Sequence, residues 1–316
     1  MPEVNFALGT MKFGTEVDAG TSLRLLDQFV DAGGTMLDTA DCYSFWSDPS
    51  GFGGQSEEVL GRWLARRPGR RERVYLSSKV GAEPVDGGEW PANREGLSAA
   101  AVKAGVEGSL RRLGVDRIDL FWAHMEDRTV PLEESVEAFG ALAAEGVVGR
   151  LGCSNHPVWR VERARRIARE NGWAGYSALQ LRHSYLQPRP GVPVPGQNHR
   201  FGWVTDEVLD YVGSEPELSL WVYTALLYGF YSRPDGRALP EAYDHPGTVR
   251  RLAALDKVAG ELGVSRNQVV LAWLIGGEPG VVPIVGVSSA EQLDEALAGA
   301  RLRLPGELRR VLDEAL

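Results

Sequence analysis

The chain has 316 residues, of which 43% are hydrophobic and 24% charged, with a net charge of -9 and a pI of about 5.2. These values describe an ordinary globular protein, long enough to bury roughly three quarters of its unfolded surface without staples. They argue against a nucleic-acid-binding face, and two cysteines, Cys42 and Cys153, exclude a disulfide framework. The opening MPEVNFALGT lacks the basic-then-apolar pattern of a signal peptide. The longest apolar stretch, near 269–275, is far short of a membrane span. A cytoplasmic location with no membrane partner is therefore expected.

The first strand is expected at 5–9. Residues 23–32 repeat apolar side chains at helical spacing and stop at Gly33-Gly34, a C-cap signal. A second strand follows at 35–38. Ser56 then reads as an N-cap, because Glu57 and Glu58 place acidic charge at the positive end of a helix. A third strand is expected at 74–78, and a helix over 98–113 closes at Gly114. The fourth strand spans 118–122. Pro131 fits a first helical position, with Glu133 and Glu134 behind it. The fifth strand covers 148–154, and Pro157 opens a helix over 158–170. Strands at 178–180 and 220–223 come next. Ser265 caps a helix over 268–275, a last strand runs 281–285, and Ser289 caps the helix that holds Glu291 and Leu293.

Eight strands alternating with helices predict an α/β fold, a (β/α)8 TIM barrel forming one domain over residues 1–316. A doubly wound sheet is disfavoured, because no G-x-G-x-x-G follows the first strand. Two long loops, 44–55 and 182–203, follow strand ends and so belong to the C-terminal face, where barrels build their sites.

Asp38, Tyr43, Lys79 and His124 all lie where an apolar run gives way to a loop. Singly, each has an ordinary role as a cap, a packing residue or a surface lysine. Together they form the constellation of a carbonyl reductase. A carbonyl oxygen gains negative charge as hydride reaches its carbon, and it needs a proton donor nearby. A phenol titrates near ~10, and an adjacent ammonium is expected to lower that value. Lys79 would supply the ammonium to Tyr43, Asp38 would hold Lys79, and His124 would orient the carbonyl. No side chain supplies hydride, so a cofactor is required. No Cys/His cluster has metal spacing, and no metal is expected.

Over nearly its whole length the chain resembles the aldo-keto reductase family. DTADCY is similar to that family's D-T-A-x-x-Y, SSKVG to its T-K segment, IDLFWAH to D-L-Y-x-x-H, and GCSNH to G-x-S-N. WVYTALLYG is similar to Y-S-P-L-x-x-G, and VPIVGVSSAEQLDEAL to I-P-G-x-S-x-x-x-x-L-x-E-N. The resemblance implies that Ser154, Asn155 and Gln180 hold the nicotinamide carboxamide and that Tyr223 stacks on its ring. It also implies that Gly9 and Thr10 line the cofactor cleft. Thr224, Leu226 and Gly229 would belong to the loop over the pyrophosphate, and Gly286, Ser288, Gln292 and Glu295 to the adenosine end.

Three departures bear on the cofactor. Thr224-Ala225 replaces Ser-Pro, Ala296 replaces an asparagine, and Gly286 and Gln292 stand where some members carry Lys and Arg. NADP(H) is favoured from the family and NAD(H) is not excluded, with Arg233 and Arg237 as further candidate cations. Trp46, Phe52, Trp90, Trp122 and Tyr185 are candidate walls of a pocket for a small-molecule carbonyl, such as a sugar or a natural-product ketone. Two other readings stay open: a redox-sensing regulatory subunit with little turnover, and a Schiff-base aldolase using Lys79. Oligomeric state is not legible in the sequence.

Overall fold

A computed structural model describes residues 4–194, 201–232 and 239–315. Eight parallel strands close into a barrel in sequence order. They are β1 (Ala7–Gly9), β2 (Met36–Asp38), β3 (Tyr75–Val80), β4 (Ile118–Ala123), β5 (Val148–Ser154), β6 (Tyr176–Arg182), β7 (Ser219–Tyr223) and β8 (Val281–Gly286). The barrel closes through the β1–β8 pairing, which sets Gly9 opposite Gly286. All eight expected strands are present, β5 with the expected bounds and the others with shifts of at most two residues at their ends.

Helices alternate with the strands: α1 (Ala19–Asp31), α2 (Gln55–Ala65), α3 (Ala99–Leu113), α4 (Leu132–Ala144), α5 (Val158–Asn171) and α6 (Asp206–Ser214). Then come α7 (Pro246–Leu262), α8 (Arg266–Ile275), α9 (Ala290–Arg301) and α10 (Gly306–Asp313). Capping largely follows local chemistry. Ser98 and Ser289 cap α3 and α9, and Ser265 forms a capping box with Gln268. Pro131 and Pro157 are N-caps rather than first helical residues.

Ser56 is not a cap. Gly54 takes that place with φ 110°, and Ser56 is fully buried in the first turn, bonded to both Thr10 and Thr39. Only glycine adopts that backbone cheaply, so a tertiary contact decided the register of the helix start. Helices α6, α7 and α10 lie outside the sequence-based expectation. The apolar stripes of α6 and α10 are sparse: α6 buries only Val208 and Val212, and α10 only Leu308 and Leu312.

The barrel interior shows how strand pleat builds a site. Apolar Ala7, Leu120, Trp122, Ala178 and Trp221 fill it, with Met36, Val282 and Ile284 packed alongside. Trp122 and Trp221 meet edge to face at 5.6 Å. Gly152 makes the room, since a Cβ there would lie 2.3 Å from the Trp122 ring. Successive side chains alternate faces, so the next inward position is two residues further on. From Ala7, Met36, Trp122, Ala178, Trp221 and Ile284 that step reaches Gly9, Asp38, His124, Gln180, Tyr223 and Gly286. An apolar layer thus carries a polar layer at the C-terminal mouth. Among the described residues, no helix is long and apolar enough to cross a membrane.

Candidate active site

Lys79 is the centre of the polar layer. Its side chain is fully buried and its Nζ donates to Asp38 Oδ2 at 2.6 Å, to the Thr39 carbonyl at 2.7 Å and to Tyr43 Oη at 2.8 Å. Three donor protons meet three acceptors, the arrangement of an ammonium. A Schiff-base nucleophile needs a free amine, and this geometry opposes that role. Asp38 is buried too, and its Oδ1 accepts from Ser77 Oγ at 2.7 Å and Gln180 Nε2 at 3.2 Å. The carboxylate is therefore paired and fully solvated by protein donors, as a buried charge must be.

Tyr43 departs from the expected titration. Burial, and next the Asp38 carboxylate, push its phenol well above the ordinary tyrosine value. Burial and Asp38 together outweigh the neighbouring Lys79 ammonium, which donates to the same oxygen. The hydroxyl stays protonated and can donate. His124 lies edge-on to the Tyr43 ring at 5.9 Å. Its Nδ1 is 3.5 Å from Cys42 Sγ, and burial raises the Cys42 thiol well above its usual range. With the protonated thiol as donor, Nδ1 accepts and Nε2–H is the ring's own donor. Asp41, Cys42 and His124 each bring a metal-ligand type atom within 4.8 Å of the others, a juxtaposition that spacing along the chain does not reveal. A neutral thiol is a poor ligand, however, and here it serves the ring.

A second network runs around the mouth. Asn155 Nδ2 donates to the His124 carbonyl at 3.0 Å, while its Oδ1 accepts from Tyr223 Oη at 2.6 Å. Ser154 Oγ donates to the Gln180 carbonyl at 2.8 Å. Asn155 has φ 61°, and after β7 so do Thr224 (55°), Leu227 (46°) and Tyr228 (55°) lie in the left-handed region, with Gly229 at 85°. Such backbone costs on the order of 1–3 kcal/mol per non-glycine residue and clusters at functional sites. Leu226 is half-buried within this run. Arg182, unremarked in the sequence, stacks over Trp203 at 5.3 Å and Tyr223 at 5.5 Å. Its position two residues beyond Gln180 was the available signal.

Gly9 and Gly286 lie side by side at the mouth and present bare backbone. Thr10 is turned inward, bonded to the Asp38 carbonyl. Gln292 Oε1 accepts from the amide and hydroxyl of Ser288 at 2.8 and 3.0 Å, and Glu295 accepts from Asn267 at 2.8 Å. Gln292 thus braces the start of α9, and Glu295 ties the middle of α9 to α8. Arg233 and Arg237 lie outside the described residues.

Two expected pocket walls are corrected. Tyr185 is fully buried, packs on Trp273 and donates to the Leu312 carbonyl, so it anchors α10. Trp122 is fully buried in the barrel interior, below the mouth. Trp90 packs against Phe45 at 5.5 Å and joins Tyr43 beside Cys42, Ala82 and Met125. Trp46 is 47% exposed and donates to Glu16 Oε1; Phe52 is 43% exposed.

Around Asp41 sits an acidic cluster that the sequence did not announce. Glu57, expected as a dipole charge, is fully buried, bonded to Ser78 and paired with Arg112 at 2.7 Å. Burial, then Glu95, push the Asp41 carboxyl well up. Burial also raises Glu83 from 4.5 to about 7, although it accepts from the Gly53 amide at 2.8 Å. A folded value above the unfolded one favours folding fully below 4.5, and that contribution is lost as pH rises through about 7. Glu83→Gln is expected to flatten the fall in melting temperature between about pH 5 and about pH 8. A fall as steep as in the parent protein would assign it to other groups.

The protein is thus a closed (β/α)8 barrel with a buried Asp38–Lys79–Tyr43 chain at its mouth. Residues 5–315 match the model of the Aldo/keto reductase family, and the chain belongs to that family. It is 29% identical to the uncharacterized oxidoreductase YrpG of Bacillus subtilis, over 97% of this chain and 90% of the relative. It is 31% identical to norsolorinic acid reductase of Aspergillus flavus, over 98% of this chain and 76% of the relative. With aldo-keto reductase family 7 member A3 of Homo sapiens it shares 29% identity, over 93% of this chain and 87% of the relative.

Proposed function

We propose that this oxidoreductase uses NADP(H) to reduce an aldehyde or ketone, with Tyr43 as general acid. The observation that carries the reading is the buried chain Asp38–Lys79–Tyr43, whose last hydroxyl stays protonated beside His124. The cofactor, when bound, supplies the hydride. Tyr43 Oη gives its proton to the carbonyl oxygen, and Lys79 Nζ stabilises the phenolate left behind. Asp38 keeps Lys79 aimed, and His124 donates to the same oxygen.

The mouth suits a nicotinamide. Ser154, Asn155 and Gln180 offer amide and hydroxyl groups for a carboxamide, and Tyr223, locked by Asn155 and Arg182, offers a ring to stack on. The bare Gly9–Gly286 pair and the left-handed loop through Leu226 and Gly229 offer backbone for the pyrophosphate end. Phe45 and Trp90 beside Tyr43, with Trp46 packed on Phe45, favour a bulky aromatic carbonyl over a sugar. The test is multiple turnover of a bicyclic aromatic aldehyde with NADPH, followed by loss of cofactor absorbance. Sustained oxidation of NADPH is expected; stoichiometric oxidation without turnover would favour the regulatory-subunit reading.

A further inference from the structure

The stretch from the end of β8 into α9, Gly286 to Gln292, contains no Lys or Arg and one carboxylate, Glu291. Cation recognition at that end must come from another element. The neighbour is α1. Between the two helices lies a groove of about 340 Å³ lined by Thr21, Arg24, Leu25, Gln28, Ser288, Ser289 and Ala290. Its two walls differ. On α9's side stand the exposed Ser288 and the half-buried Ser289; on α1's side stands the exposed Arg24 above buried Leu25. Gln28 Nε2 donates to Asp294 Oδ1 at 2.8 Å and to the Ala290 carbonyl at 3.4 Å, so it ties the helices and sets the groove's width.

Arg24 Nη2 donates to Thr21 Oγ1 at 2.8 Å, which folds the guanidinium back along the first turn of α1. Asp18, the N-cap of α1, is near enough for the Arg24 charge to contribute to lowering its carboxyl, after the larger effect of Thr21. A guanidinium fork with hydroxyls opposite is chemistry for a phosphate monoester. A ribose hydroxyl would instead be met by a carboxylate acceptor. Ser288, on the groove wall, is two residues past Gly286, which pairs with Gly9 at the barrel mouth.

We propose that Arg24, on α1, reads the 2′-phosphate of NADP(H), with Ser288 and Ser289 on the opposite wall. This rests on the reductase reading above and names the residue that would set its cofactor preference. Gly286 and Gln292 leave the α9 side neutral, and the cation is supplied across the groove.

The experiment is calorimetric titration of the whole chain, and of Arg24→Gln and Arg24→Lys, with NADPH, NADH, adenosine 2′,5′-bisphosphate and 5′-AMP. The parent protein is expected to bind NADPH over NADH, and the bisphosphate over 5′-AMP, by about tenfold or more. Arg24→Gln should lose that discrimination and keep its NADH affinity, with Arg24→Lys between. Added salt should erode the discrimination of the parent protein and leave that of Arg24→Gln unchanged. Undiminished discrimination in Arg24→Gln overturns the assignment and leaves the reductase reading standing. An equal loss of NADH affinity also overturns it, because the guanidinium would then support the cleft as a whole. A parent protein that binds neither dinucleotide overturns the reductase reading itself.

Discussion

Tyr43→Phe is expected to lower kcat by about three to four orders of magnitude while cofactor affinity stays within about twofold. The ring keeps its packing beside Cys42, Met125 and Trp90, and only the hydroxyl is removed. Lys79 Nζ loses one of three acceptors and retains Asp38 and the Thr39 carbonyl, so the ammonium stays in place. What disappears is the proton that quenches the developing alkoxide. Because burial and Asp38 raise the phenol, the parent enzyme's reduction rate should hold through neutral pH and fall only above the ordinary tyrosine range of ~10. The oxidation of an alcohol needs the phenolate and should rise toward the same limit. Single-turnover kinetics with a fluorescence titration of cofactor separate chemistry from binding. A Tyr43→Phe protein that keeps a tenth of its turnover would remove Tyr43 as the acid.

The second large effect concerns stability as well as rate. Lys79→Met strands the Asp38 carboxylate, which is fully buried and then lacks its cation. Breaking a buried pair from one side costs about 3–5 kcal/mol. Adding Asp38→Asn removes the stranded charge, and the double variant is expected to regain most of that stability while remaining inactive. Melting temperatures of the parent, both single variants and the double variant give the coupling directly. Two stability losses that simply add would mean that the pair is not coupled in the folded protein, and the picture of Asp38 as the clamp on Lys79 would fail.

The barrel was readable because its signals are local. Eight apolar runs, punctuated by Gly114, Pro131, Pro157 and the serine caps, predicted eight strands, and the barrel contains them in order. The candidate quartet was readable for a related reason: Asp38, Lys79 and His124 sit at strand ends, and a closed parallel barrel gathers all strand ends at one mouth. The helices α6 and α10 were missed because each buries only two apolar side chains. Tyr185 was misjudged because position on a rim loop does not say which way a ring turns; it turned inward, to Leu312.

The sequence by itself determined the fold class, the family and the set of polar groups at the mouth, because pleat alternation and turn chemistry act over a few residues. Tertiary structure alone decided how those groups behave. Burial and Asp38 set the direction of the Tyr43 titration against the expectation drawn from Lys79. Cys42 reached His124 across 82 residues. Arg24 came to face Ser288 only because closure of the barrel sets α1 beside α9. Each of these depends on charge, desolvation and contact between distant segments, which exist only once the chain has closed on itself.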